Sequence, residues 1–124
     1  MYKLYTTYLS NMKKIPDNCK IVIIMRFPPF IPEGSNIYHA IELSPQGKIL
    51  MDYKDNNDFE SFKDKFWEQL NFDKDAQLSL KQIGYALENN NDICLVCCEK
   101  DNTNCHRRLL GEFFEFLGYE WEEL

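Results

Sequence analysis

Three short apolar runs punctuate the chain, and between them apolar positions recur with a helical period. Tyr2-Lys3-Leu4-Tyr5-Thr6-Thr7-Tyr8 is aromatic and β-branched with a rough alternation, which predicts a first strand. Lys20-Ile21-Val22-Ile23-Ile24-Met25 is nearly continuous apolar sequence, too short for a typical helix and suited to a strand covered on both faces. Ile93-Cys94-Leu95-Val96-Cys97-Cys98 is the third such run.

Phe59, Phe62, Phe66, Trp67 and Leu70 fall on one helical stripe, predicting a helix over 61–70 with Asp58 as its cap. Leu78, Leu80, Ile83 and Leu87 predict a second helix, ended by Asn89-Asn90-Asn91, residues that tolerate left-handed geometry. After the third strand a polar loop runs from Glu99 to Asn104. Leu109, Leu110, Phe113, Phe114 and Leu117 then form the stripe of a last helix, capped by Thr103 or Asn104 and ending at Gly118. Tyr119-Glu120-Trp121 predicts a short final strand. Arg26 to Gly47 holds four of the five prolines and two glycines, so it reads as a long loop with a short helix after Pro45.

Strands separated by helices favour a parallel sheet with right-handed crossovers. The expectation is a single α/β domain over residues 1–124, a Rossmann-like, mainly parallel sheet of three to five strands flanked by helices. Residues 20–25 and 93–98 should be adjacent or one strand apart. A content of 44% hydrophobic and 27% charged residues agrees with a folded core. The net charge of -6 argues against general nucleic-acid binding, which needs a broad basic face. Five cysteines, three in one apolar run, do not make a secreted disulfide framework. With no run of membrane-spanning length and no signal-peptide pattern at Met1-Tyr2-Lys3-Leu4-Tyr5, the expected setting is the cytoplasm.

In open α/β sheets, ligands bind beyond the carboxyl ends of the strands. Arg26 leaves one buried-type strand there and Glu99 leaves another. Cys105-His106-Arg107-Arg108 opens the last helix, placing three basic residues where the helix dipole favours acidic ones, an arrangement suited to an anionic ligand such as phosphate. Candidate catalytic residues are Glu99, His106 and Cys105, whose thiol pKa a helix N-terminus beside His and Arg should lower. Candidate ligand-binding residues are Arg26, Arg107 and Cys98. Each has a plainer alternative. Arg26 could instead tie down the Pro-rich loop through carbonyl contacts, and Glu99 could orient Arg107 or His106. Arg108 should pair with Glu112. Cys94 and Cys97 read as core residues. Phe27, Phe30, Tyr38 and His39 either line a pocket or pack under the loop. Cys98, Cys105 and His106 lack the paired Cys-x-x-Cys units of structural zinc sites and an evident fourth ligand, so no metal is expected. No Gly-rich phosphate loop, nucleophile elbow or H-E-x-x-H helix is present.

Cys98-Glu99-Lys100 followed by Cys105-His106-Arg107, with Arg26-Phe27-Pro28-Pro29 after the earlier strand, resembles the family catalogued as domain of unknown function 488. Tyr5-Thr6-Thr7-Tyr8 through Lys13-Lys14-Ile15-Pro16, and Leu43-Ser44-Pro45 to Tyr53-Lys54, extend the resemblance over nearly the whole chain. It implies an α/β fold with a polar site built from Arg26, Glu99, His106 and Arg107, and brings no settled activity or cofactor. The leading functional expectation is a protein that binds a small phosphate-bearing ligand, a nucleotide or nucleotide derivative, with or without acting on it. The alternative is an interaction module that docks a basic partner on its acidic surface and uses the Cys-His-Arg turn structurally. A redox or zinc protein using Cys98 and Cys105 ranks third. On the leading reading, Arg107→Ala abolishes binding and spares the fold, whereas Leu110→Ala does the opposite.

Overall fold

β-branched and aromatic residues build the sheet of the computed structural model, which describes residues 2–124. β1 (Leu4–Tyr8), β2 (Lys20–Ile23), β3 (Ile37–His39), β4 (Ile93–Cys97) and β5 (Trp121–Glu123) pair in the order β3-β2-β4-β1-β5. Every pairing is parallel. β4 is central and buried at every position, so it carries Ile93-Cys94-Leu95-Val96-Cys97 without alternation. Its register sets Cys97 opposite Tyr8 of β1 and Val96 opposite Ile23 of β2.

The helices are α1 (Gly47–Asn56), α2 (Phe59–Phe72), α3 (Lys74–Glu88) and α4 (His106–Phe116). Asp58 caps α2 as expected, accepting from the Ser61 N–H at 3.1 Å. Asp73 caps α3 through Asp75 and Ala76. Asn90 and Gly118 take the left-handed conformation after α3 and α4. From β1 the chain moves one way across the sheet to β2 and β3, then returns to β4 and β5. Right-handed crossovers in opposite directions lie on opposite faces. In accord with this, a 3₁₀ turn at Leu9–Lys14 packs on β1 and β4, whereas α4 packs on β1, β4 and β5 and touches α2. Phe62, Phe66, Leu70, Leu80, Ile83, Leu87, Leu110 and Phe114 fill the helical side of the core. Among the described residues, no helix is long and apolar enough to cross a membrane.

The Pro-rich segment is not all loop. Ile37–His39 forms β3 on the sheet edge, a strand of three residues too short to show a period. The helix after Pro45 runs to ten residues. The last strand lies two residues later than expected, with Trp121 facing α4. A Cβ on Gly111 of α4 would stand 2.3 Å from Cε2 of Trp121, whose Nε1 donates to Thr6 Oγ1 at 2.7 Å. Alanine within a helix normally gains about 0.8–1 kcal/mol over glycine. At Gly111 that gain is outweighed by overpacking of about 1–3 kcal/mol. Gly111→Ala is therefore expected to lower the melting temperature, while Gly84→Ala in α3, where the nearest atom is Tyr119 Oη at 3.8 Å, raises it. Thermal melts of the two variants check this, and equal shifts would refute it.

Candidate functional site

β2 and β4 lie side by side, yet the chain leaving β2 turns toward β3 and the chain leaving β4 turns toward β1 and β5. Such divergence opens a crevice at the carboxyl ends of the two strands. A cavity of about 500 Å³ occupies it. Buried Cys97, Cys105 and His106 form its floor, and Leu50, Tyr53 and Phe62 from α1 and α2 form an apolar wall. Arg26, Phe27, Lys54, Cys98, Glu99 and Asp101 complete it nearer solvent. A more open depression of about 520 Å³ beside α2, bordered by Lys65, Glu68 and Lys74, holds no cysteine or histidine.

Arg26 donates from Nε to the Pro45 carbonyl at 2.9 Å and from Nη2 to the Ser44 carbonyl at 3.2 Å. It thus ties down the far end of the Pro-rich segment, and neither bond uses Nη1. Phe27 is 82% exposed, so it stands at the cavity mouth and does not pack under the loop. Phe30 is also exposed, and Tyr38 and His39 border a different depression, next to β3. Cys98 and Glu99 are exposed. It is the carbonyl of Glu99, not its carboxylate, that receives Arg107.

α4 begins at His106 with Cys105 as its N-cap, and no side chain accepts from its first turn. The expected cap at Thr103 or Asn104 does not form; the Thr103 N–H instead bonds Asp101 Oδ1 at 2.9 Å. His106 Nε2 lies 2.6 Å from the Ile24 carbonyl. A carbonyl only accepts, so Nε2 carries a proton, and in the neutral ring the lone pair is on Nδ1. The ring packs edge-on against Phe66.

The Cys105 thiol donates to Cys97 Sγ at 3.4 Å. That bond, together with burial, pushes the Cys105 pKa up, the reverse of the expected lowering. The same bond holds the Cys97 thiol below its ordinary value, aided by the backbone N–H groups of Glu99 and Cys98 and opposed by burial. Cys97 is buried in the core, as expected, and also reaches the cavity floor. Within the apolar run 93–98 no alternation distinguishes Cys97 from Cys98, so the sequence carries no signal that sends the first and not the second to the cavity floor.

Arg107 departs furthest from expectation. It is fully buried, does not line the cavity and meets a carboxylate of its own chain. Nε and Nη2 grip Glu123 of β5 at 3.1 and 2.9 Å. Nη2 also donates to the Lys100 carbonyl at 3.1 Å, and Nη1 donates to the Glu99 carbonyl and to Cys105 Sγ at 3.6 Å. All the donors of its fork are engaged. Arg108 takes the plainer part, pairing with Glu112 at 3.7 Å.

A family model described as "DUF488-N3a: Active DUF488-N3 subclade" matches residues 4–117. No curated protein and no solved structure matches the chain.

Proposed function

The chain belongs to the DUF488 family, and on that premise we propose that the cavity between the ends of β2 and β4 takes a small phosphate-bearing ligand, a nucleotide or nucleotide derivative. The observation that carries the proposal is one cavity bordered by Arg26, Lys54 and the uncapped N-terminus of α4. Cationic side chains and free helix N–H groups are what phosphate oxygens need. Its size falls within the range of about 300–1,000 Å³ common for small-molecule sites. Phe27 and Tyr53 offer aromatic faces to a base, and Glu99 and Asp101 offer acceptors to hydroxyl or amino groups. Cys98 adds a contact at the mouth.

The description of the matched subclade as active supports a reading with turnover. Glu99, His106 and Cys105 are then the groups in reach of a bound ligand. Arg107 acts through others, holding residues 99–100 and the first turn of α4 in place by its bonds to Glu99, Lys100 and Glu123. Five free thiols suit a reducing cytoplasm.

The test is a thermal-shift screen of nucleotides, sugar phosphates and inorganic phosphate, followed by product analysis of each stabilising compound. A ligand at a hundred times its dissociation constant adds about 2.7 kcal/mol, or about 10 °C for a chain of this size. Lys54→Ala should leave the unliganded melting temperature unchanged, because Lys54 is exposed. It should weaken the best ligand about 10- to 100-fold, the worth of one charge-assisted hydrogen bond. The absence of any stabilising phosphate compound, or an undiminished affinity in Lys54→Ala, refutes the reading.

A further inference from the structure

Three side chains on the cavity floor have an arrangement that ligand binding at the rim does not require. Cys97 ends β4, Cys105 caps α4 and His106 opens it, and the topology brings all three together beneath Ile24 at the end of β2. Their ligating atoms lie within 4.8 Å of one another and are buried. Sγ of Cys97 and Sγ of Cys105 are 3.4 Å apart, and Nδ1 of His106 is 3.7 Å from the first and 3.9 Å from the second. A tetrahedral ion with metal–sulfur bonds of about 2.3 Å and a metal–nitrogen bond of about 2.0 Å holds its donors about 3.5–3.8 Å apart. The triangle comes within about 0.4 Å of three corners of such a site, its sulfurs closer together and its nitrogen farther off than an ion would hold them, so a small side-chain adjustment would close it around an ion.

Its surroundings agree. The bond from Nε2 to the Ile24 carbonyl leaves the Nδ1 lone pair free for a metal and fixes the ring, as an outer partner of a ligating histidine does. Arg107 Nη1 donates to Cys105 Sγ at 3.6 Å, and backbone N–H groups of Cys98 and Glu99 serve Cys97 Sγ. These donors stabilise charge on sulfur. Two thiolates and one divalent cation together are neutral, which suits a buried site. All three residues line the cavity, so the fourth corner opens toward it.

We propose that Cys97, Cys105 and His106 form a three-ligand site, open at its fourth position, for a thiolate-preferring divalent cation of the zinc class. Two thiolates and an imidazole select such an ion over magnesium or calcium, and three protein ligands with an open corner are the pattern of catalytic, not structural, zinc. The cysteine pair picked out by sequence, Cys98 with Cys105, is one residue away from the one that geometry assembles. The site does not depend on the identity of the ligand above it, so the phosphate screen and the metal test fail separately.

The test is titration of the reduced, metal-free full chain with Co²⁺, read by sulfur-to-cobalt charge-transfer absorption and by the visible bands of a tetrahedral ion, with Zn²⁺ as competitor. One ion per chain, an intensity matching two thiolates and displacement by Zn²⁺ are expected. Cys97→Ser and Cys105→Ser should each cut the charge-transfer signal and weaken the ion more than 100-fold, while Cys19→Ala, at the opposite end of the sheet, keeps it. If either serine variant does not fold, the thiolate count in the wild-type spectrum decides alone. Absence of stoichiometric binding, a spectrum with no thiolate ligand, or serine variants that bind like the wild type would overturn the proposal. So would thiols that couple into a Cys97–Cys105 disulfide on mild oxidation and show no metal affinity when reduced.

Discussion

Arg107→Ala is expected to destabilise the protein by about 3 kcal/mol, lowering its melting temperature by about 10 °C. Removing one partner of a buried ion pair costs about 3–5 kcal/mol because the other charge is stranded. The lower end applies because the Glu123 side chain is one-quarter exposed and water can reach it. The loss also removes donors from the Glu99 and Lys100 carbonyls, so the loop above the cavity loosens. Arg107→Lys should fall in between, since an ammonium keeps the charge without the planar fork. Arg108→Ala, which breaks only an exposed pair with Glu112, should cost no more than about 0.5 kcal/mol. Denaturant melts of the three variants check the order. Adding Glu123→Gln to Arg107→Ala removes the stranded charge and should recover part of the loss, giving the coupling by a double-mutant cycle. An Arg107→Ala protein as stable as the wild type would restore the reading of Arg107 as a ligand clamp.

Phe66→Ala is the second large effect, with an expected loss of about 3–5 kcal/mol. Phe66 is fully buried on α2, stacked on Phe62 and tilted against Trp67, which in turn meets Phe113 of α4. Its removal opens a void where α2 meets α4, and neighbours locked on two helices cannot collapse to fill it. Phe66 also supports the edge of His106 at a centroid distance of 5.6 Å. The variant should therefore lose affinity for the cavity ligand as well as stability. Phe66→Leu, which keeps most of the volume, should cost less than half as much in stability. Equilibrium unfolding with ligand binding on the folded fraction separates the two effects. A cost below about 1 kcal/mol would show that the contact between α2 and α4 does not carry the core.

The type and order of the main elements were legible in the sequence because both signals are local. A continuous apolar run of five or six residues is too short for a typical helix and suits a strand covered on both sides, and Phe62, Phe66 and Leu70 fall on one helical stripe whatever they face. From these patterns follow the parallel sheet and, with the crevice rule, the expectation of a crevice where Arg26 and Glu99 leave their strands, and a cavity lies there. Which side chain meets which was not legible. Cys97 and Cys98 are neighbours on a run without alternation, and only the register of β4 between β1 and β2 sends the first to the cavity floor and the second to the rim. Arg107 carries the same charge wherever it points. The packing of α4 across β1 and β5 sets it against Glu123, sixteen residues further on in an acidic tail that carries no pattern of its own. Periodicity records how each residue faces the axis of its own element, and so yields burial. Partnership depends on how separate elements register and rotate against one another, and that is decided only when the core closes.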